Sequence, residues 1–135
     1  MTTHAGSRLL RYLWASPTTL IGLFVVALTI ATGGKANAVA GVIEAHGGVA
    51  DLLLRRATPL RGGASAMTLG HVVIARDSFL LDVTRDHERV HVRQCERWGP
   101  LFFPAYLVAS LIAWCRGEHF YRDNHFEREA YGDQP

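Results

Sequence analysis

Apolar residues are distributed differently in successive parts of the chain. Residues 12–34 carry no charge, are densely apolar over 20–31, and are preceded by Arg8 and Arg11. A run of that length is enough to cross a bilayer and predicts an N-terminal hydrophobic, transmembrane helix. Pro17-Thr18-Thr19 and Gly33-Gly34 weaken its two ends. A buried core helix and a cleaved signal peptide therefore compete with the anchor, and Ala36-Asn37-Ala38 fits the small-x-small rule for cleavage. From Lys35 onward glycine punctuates short apolar runs at 39–45, 49–54 and 67–75, which read as strands joined by turns. The third run is rich in β-branched residues and ends at Arg76-Asp77-Ser78, where Asp77 or Ser78 can cap a helix.

Val83, His87, Val90, His91, Gln94 and Trp98 then recur at spacings of three and four, which predicts a helix over 79–98 with these residues on its inward face. Arg85, Arg89, Arg93 and Arg97 fall roughly opposite, as a stripe facing solvent or anionic lipid headgroups. Gly99-Pro100 stops that helix. A second uncharged run at 98–115 is expected to be helical from about residue 104, and a short helix follows near 124–131. The pattern amounts to an α+β fold, a short antiparallel sheet packed on the 79–98 helix and the helices after it. It divides into a hydrophobic anchor, residues 1–36, and a domain, residues 37–135.

Composition narrows the function classes. With 135 residues the chain holds one domain, and 49% hydrophobic against 19% charged residues is far from a disordered composition. The net charge of +2 comes with no basic tail, so nucleic acid is not expected as a partner. Cys95 and Cys115 lack CxxC spacing and read as small buried thiols rather than a disulfide or a cysteine metal site.

The candidate chemistry lies at His87-Glu88-Arg89-Val90-His91, an HExxH sequence inside the expected helix. Histidines four residues apart project from one helix face and can share a Zn²⁺ ion, while the intervening Glu88 is placed to act as general base on a zinc-activated water. The competing assignment makes His87 and His91 core histidines bonded to backbone carbonyls. Zinc needs a third protein ligand. The metzincin extension is excluded, because Gln94 and Arg97 stand where that class has glycine and histidine. Downstream, Glu118, His119, Asp123, His125, Glu127 and Glu129 are available, and Glu127 is favoured because it completes a His₂Glu set with a position left for water. Glu127 also fits a capping box with Asn124, and His119, His125 and Glu129 stay open as the third ligand.

HERVH with Gln94 and Gly99-Pro100, the Pro104-Ala105-Tyr106 run with Ser110, Tyr121-Arg122-Asp123-Asn124 and the Phe126-Glu127-x-Glu129-Ala130 ending together resemble a small gluzincin-type zinc metallopeptidase. They also resemble uncharacterised bacterial proteins with HExxHxxQ and a distal ExxA. The resemblance covers residues 67–131 and implies a zincin-like fold. It implies metal ligation by His87, His91 and Glu127, with Glu88 as catalytic base and the 67–75 strand as the edge along which an extended peptide substrate lies. An aspartate that commonly follows ExxA in membrane-associated gluzincins is replaced by Tyr131, so the group that orients the first histidine is unassigned. His119, Tyr121 and Arg122 are candidates for stabilising the oxyanion.

The reading that follows is a zinc metallopeptidase of the bacterial inner membrane, held to lipid by a single N-terminal span and hydrolysing peptide bonds. A non-catalytic zinc-binding module of the same fold competes with it, as does a membrane-associated structural protein in which HExxH is coincidental. If 100–115 crossed a bilayer, His91 and Glu127 would lie on opposite sides. The second apolar helix is therefore expected to fold back at Gly99-Pro100 without crossing.

Overall fold

The computed structural model describes residues 2–58, 60 and 62–132. Residue 1 of the expected anchor and residues 59, 61 and 133–135 of the expected domain lie outside the described residues. Helix α1 (Thr2–Ala31) is followed by strands β1 (Lys35–Val39) and β2 (Val42–His46), helix α2 (Gly48–Arg56), strands β3 (Ala66–Leu69) and β4 (Val72–Ala75), and helix α3 (Ser78–Trp98). A short 3₁₀ turn, Gly99–Leu101, leads into α4 (Phe102–Cys115), and α5 (His125–Ala130) follows.

The sheet has strand order β1-β2-β4-β3 and is mixed: β2 and β4 run parallel, and the outer pairs are antiparallel. The α+β expectation holds, and the expected purely antiparallel sheet is corrected. Two of the predicted strands are hairpins. The 39–45 run contains the Ala40-Gly41 turn between β1 and β2, and the 67–75 run breaks at Gly70-His71. Gly70 has φ 67°, a conformation that suits a tight hairpin turn and that side chains resist. The third predicted strand, 49–54, lies in α2. Its Ala-Asp-Leu-Leu-Leu-Arg-Arg sequence favours a helix, and Asp51 receives Arg55 Nε at 2.6 Å one turn on.

Strand β4 is buried on both faces, and alternation divides its side chains. Val72 and Ile74 join Val26 of α1 and Ala50 and Leu54 of α2 in one core, while Val73 and Ala75 join Leu81 and Val92 of α3 in another. Helix α1 lies so close to the sheet that a Cβ on Gly22 would fall 2.7 Å from Val72 Cβ. Pro17 does not break α1. The Leu13 carbonyl, which loses its usual amide donor to the proline, accepts from Ser16 Oγ at 2.7 Å.

Asp77 caps α3 by accepting from Leu80 N at 2.8 Å, as its sequence position suggests. The inward face of α3 differs from the expected one, because the helix is covered on two sides. Leu81, Glu88, Val92 and Cys95 are buried with His91 and Gln94, whereas Val83 and Trp98 are exposed. Arg85 and Arg89 do not form a free stripe. Arg85 grips buried Glu44 of β2 through both carboxylate oxygens at 2.9 Å, and Arg89 Nη2 reaches the same group at 3.0 Å. Cys95 is buried as expected, but Cys115 is exposed at the end of α4.

A helix continuing straight from α3 into α4 would separate residues 91 and 106 by about 22 Å. The His91 and Tyr106 rings instead lie 6.5 Å apart, so the chain turns back at Gly99. Buried Asn124 ties the returning segment together. Its Nδ2 donates to Tyr106 O at 3.0 Å and to Ser110 Oγ at 2.8 Å, and its Oδ1 caps α5 by accepting from Phe126 N at 2.8 Å.

Candidate metal centre

His87 and His91, one turn apart on α3, present their Nε2 atoms 3.2 Å from each other. Glu127 enters from the first turn of α5, and its Oε1 lies 3.0 Å from His87 Nε2 and 3.1 Å from His91 Nε2. Its other oxygen accepts from Tyr106 Oη at 2.5 Å. The carboxylate therefore faces the histidines and a tyrosine, while Asn124 performs the cap at the start of α5. Glu88 is buried beside this group, with Thr68 Oγ1 of β3 donating to its Oε1 at 2.9 Å and its Oε2 3.7 Å from His87 Nε2. His87, Glu88 and His91 thus form a cluster that could hold a metal ion, with ligating atoms within 4.8 Å of one another.

Gln94 decides the proton positions. Its Nε2 donates to Phe126 O at 3.0 Å and to Glu129 Oε1 at 2.9 Å, so its Oε1, 2.8 Å from His91 Nδ1, accepts from that nitrogen. In the neutral ring the lone pair of His91 Nε2 is then directed at the Glu127 carboxylate. Two such groups at 3.1 Å are reconciled by a proton on His91, by the N–H of His87 Nε2 shared between them, or by a metal ion. Without metal the proton fills that role. Burial opposes the charged imidazole, but the Glu127 hydrogen bond and negative charge outweigh it and raise the His91 pKa to about 9. Burial likewise opposes the Glu127 carboxylate, and hydrogen bonds from His87, His91 and Tyr106 outweigh it, lowering its pKa to about 2. Glu88 moves the other way: burial raises its pKa, and the nearby histidines and Thr68 only partly offset that.

The remaining sequence candidates are dispersed. His119 is exposed and its Nδ1 accepts from Tyr121 N and Arg122 N at 3.1 Å, so it stabilises a turn. Arg122 and His125 are exposed, and Glu129 serves Gln94. Glu118 and Asp123 lie toward Arg128. Tyr121 alone of the three oxyanion candidates lines the cavity in front of the cluster. That cavity, about 310 Å³, is bounded by Glu88, His91 and Glu127 on one side and by Met67, Phe103 and Leu107 on others. Two contributors escaped sequence reasoning in these roles, Tyr106 as donor to Glu127 and Gln94 as partner of His91. The HxxQ spacing was a usable signal for Gln94, whereas nothing local marks Tyr106. Among the described residues His87 Nδ1 is buried without a hydrogen-bond partner, and the Tyr131 ring packs 4.3 Å from the His87 ring.

Comparison with protein-family models, curated proteins and solved structures returns no match. The reading of this centre therefore rests on its own geometry.

Proposed function

We propose that this chain is a zincin-like, zinc-dependent metallopeptidase, with His87, His91 and Glu127 holding Zn²⁺ and Glu88 acting as general base on peptide substrates at a membrane. One observation carries the reading: two imidazole nitrogens and one carboxylate oxygen converge within 3.0 to 3.2 Å of one another, a spacing that a single metal ion would bridge. Tetrahedral zinc with bonds of about 2.0–2.1 Å places neighbouring ligand atoms about 3.3 Å apart, close to these separations. Two neutral nitrogens and one carboxylate also match the donor set of catalytic zinc sites.

Bound zinc would polarise the scissile carbonyl and acidify the attacking water. The protein's own groups account for the rest. Glu88, with its carboxyl pKa raised by burial, is suited to take a proton from water and to pass it to the departing amine. Thr68 fixes the Glu88 carboxylate from β3, and Tyr106 holds Glu127 Oε2 so that Oε1 faces the histidines. Gln94 keeps His91 Nε2 free to ligate. Tyr121 is the candidate donor to the developing oxyanion. Edge strand β3 borders the cavity through Ala66, Met67 and Thr68, the side on which an extended peptide would add to the sheet.

The unpartnered Nδ1 of His87 favours a second reading, a zinc-binding module without turnover, because active sites usually orient that nitrogen. Elemental analysis of the purified wild type beside His91→Ala and Glu127→Gln, with hydrolysis of a quenched-fluorescent peptide library, tests both. About one zinc per chain, lost in both variants, is expected. Glu88→Gln should keep the metal and lower turnover about 100-fold or more. Zinc without hydrolysis in the wild type would select the second reading, and no zinc after reconstitution would overturn both.

A further inference from the structure

Helix α1 has an inverted distribution of side chains. Its buried positions, Ala15, Thr18, Gly22, Val26 and Thr29, recur every three or four residues and are mostly small or hydroxylated. Its large apolar side chains point outward: Leu20 is 65% exposed, Phe24 66% and Ile30 56%. A helix in the core of a water-soluble protein shows the reverse, whereas small residues inward and large apolar residues outward is the arrangement of helices in lipid. Arg8 and Arg11 stand at one end and Lys35 just beyond the other, with no acidic residue between them, which complements anionic headgroups at both ends.

The segments Gly6–Ala31 and Ser78–Cys115 are each long and apolar enough to cross a membrane. Packing argues against a crossing by α1. Tyr12 Oη donates to Gly41 O at 2.7 Å, Thr19 Oγ1 accepts from His71 N at 3.0 Å, and Thr32 Oγ1 accepts from Val49 N at 2.8 Å. Residues 12 and 32 are separated by about 30 Å of helix, the full thickness of the hydrocarbon. A crossing α1 would carry β1, an open sheet edge, to membrane depth together with α2 and its exposed Arg55 and Arg56. Lipid tolerates neither unpaired edge amides nor such charges.

We infer that α1 lies in the plane of the membrane interface, its Leu20, Phe24 and Ile30 face buried in the acyl region and its Gly22 face holding the domain on the aqueous side. This is a monotopic attachment, different from the single crossing that the length of the apolar run suggests, and it is independent of catalysis at the metal centre.

The test places single cysteines at both ends of α1 in the full chain. Gly6→Cys and Asn37→Cys, each in a Cys115→Ser background, are labelled with a membrane-impermeant maleimide in sealed right-side-out and inverted membrane vesicles. Both positions should react from the same side. Reaction from opposite sides would establish a crossing and overturn the inference. The double substitution Leu20→Lys and Phe24→Lys should release the chain from vesicles of phosphatidylethanolamine and phosphatidylglycerol, lowering the bound fraction roughly tenfold or more, with its circular dichroism unchanged. Recovery of the wild type as a detergent-free soluble monomer or dimer would also overturn it.

Discussion

Gln94 is almost wholly buried and spends its amide on three partners, which makes it the most consequential single side chain that is not itself a candidate ligand. Replacing it with leucine preserves volume but leaves His91 Nδ1 without an acceptor. Gln94→Leu should therefore weaken zinc binding about 10–100-fold with the helix content retained, as measured by competition with a chromophoric chelator. Glu44 governs a different property. Burial alone would raise its carboxyl pKa, but Arg85 and Arg89 outweigh that and hold it below its ordinary value of 4.5. The carboxylate thus contributes stability that is complete above the unfolded value and is lost as pH falls through the lower folded one. Urea denaturation should show stability declining below about pH 4.5, and a shallower decline in Glu44→Gln. That variant leaves two guanidiniums facing each other and should cost about 2–3 kcal/mol at neutral pH. Of these residues, HExxH was legible because both histidines lie within one helical turn, whose geometry is local. The Glu44 contact joins residues 41 positions apart, and no local pattern announces it.

At the scale of elements, α1, α3, α4 and α5 were legible, whereas α2 read as a strand and the hairpins read as single strands. The charge-free run, the Asp77 cap and the Asn124 cap each mark a helix by signals within a few residues. The 39–45 and 67–75 runs were legible as β structure but not as hairpins, because their apolar residues continue across the turns and only Gly41 and Gly70 mark the reversals. The close approach of α1 to β4 at Gly22 gives an element-scale prediction. Gly22→Leu would drive a side chain into Val72 and should destabilise the fold by about 1–3 kcal/mol, read as a lower midpoint in thermal unfolding.

For the whole molecule, α1 covers Val72 and Ile74 on one sheet face and hydrogen-bonds to Gly41 and His71, with Thr32 just past its end bonded to Val49. Cleavage after Ala38 would remove α1 together with edge strand β1 and uncover that face. The intact mass of purified protein should therefore include residues 2–38, and a chain beginning at residue 39 should aggregate rather than fold. The turn at Gly99 has an equally global effect, since it brings Tyr106 of α4 and Glu127 of α5 back to His91.

The sequence by itself determined helices α1, α3, α4 and α5, the Asp77 and Asn124 caps, the paired histidines with Glu88 between them, and the apolar length of α1. Each depends on neighbours within a turn or two, where backbone periodicity alone places side chains. Tertiary structure decided what meets across long separations: Glu127 with His87, 40 residues apart, Tyr106 with Glu127, Glu44 with Arg85, and the parallel pairing of β2 with β4. It also decided which face of α1 the sheet covers. These contacts follow from how buried surfaces and buried charges are satisfied together, a condition that the whole chain meets and no short segment encodes.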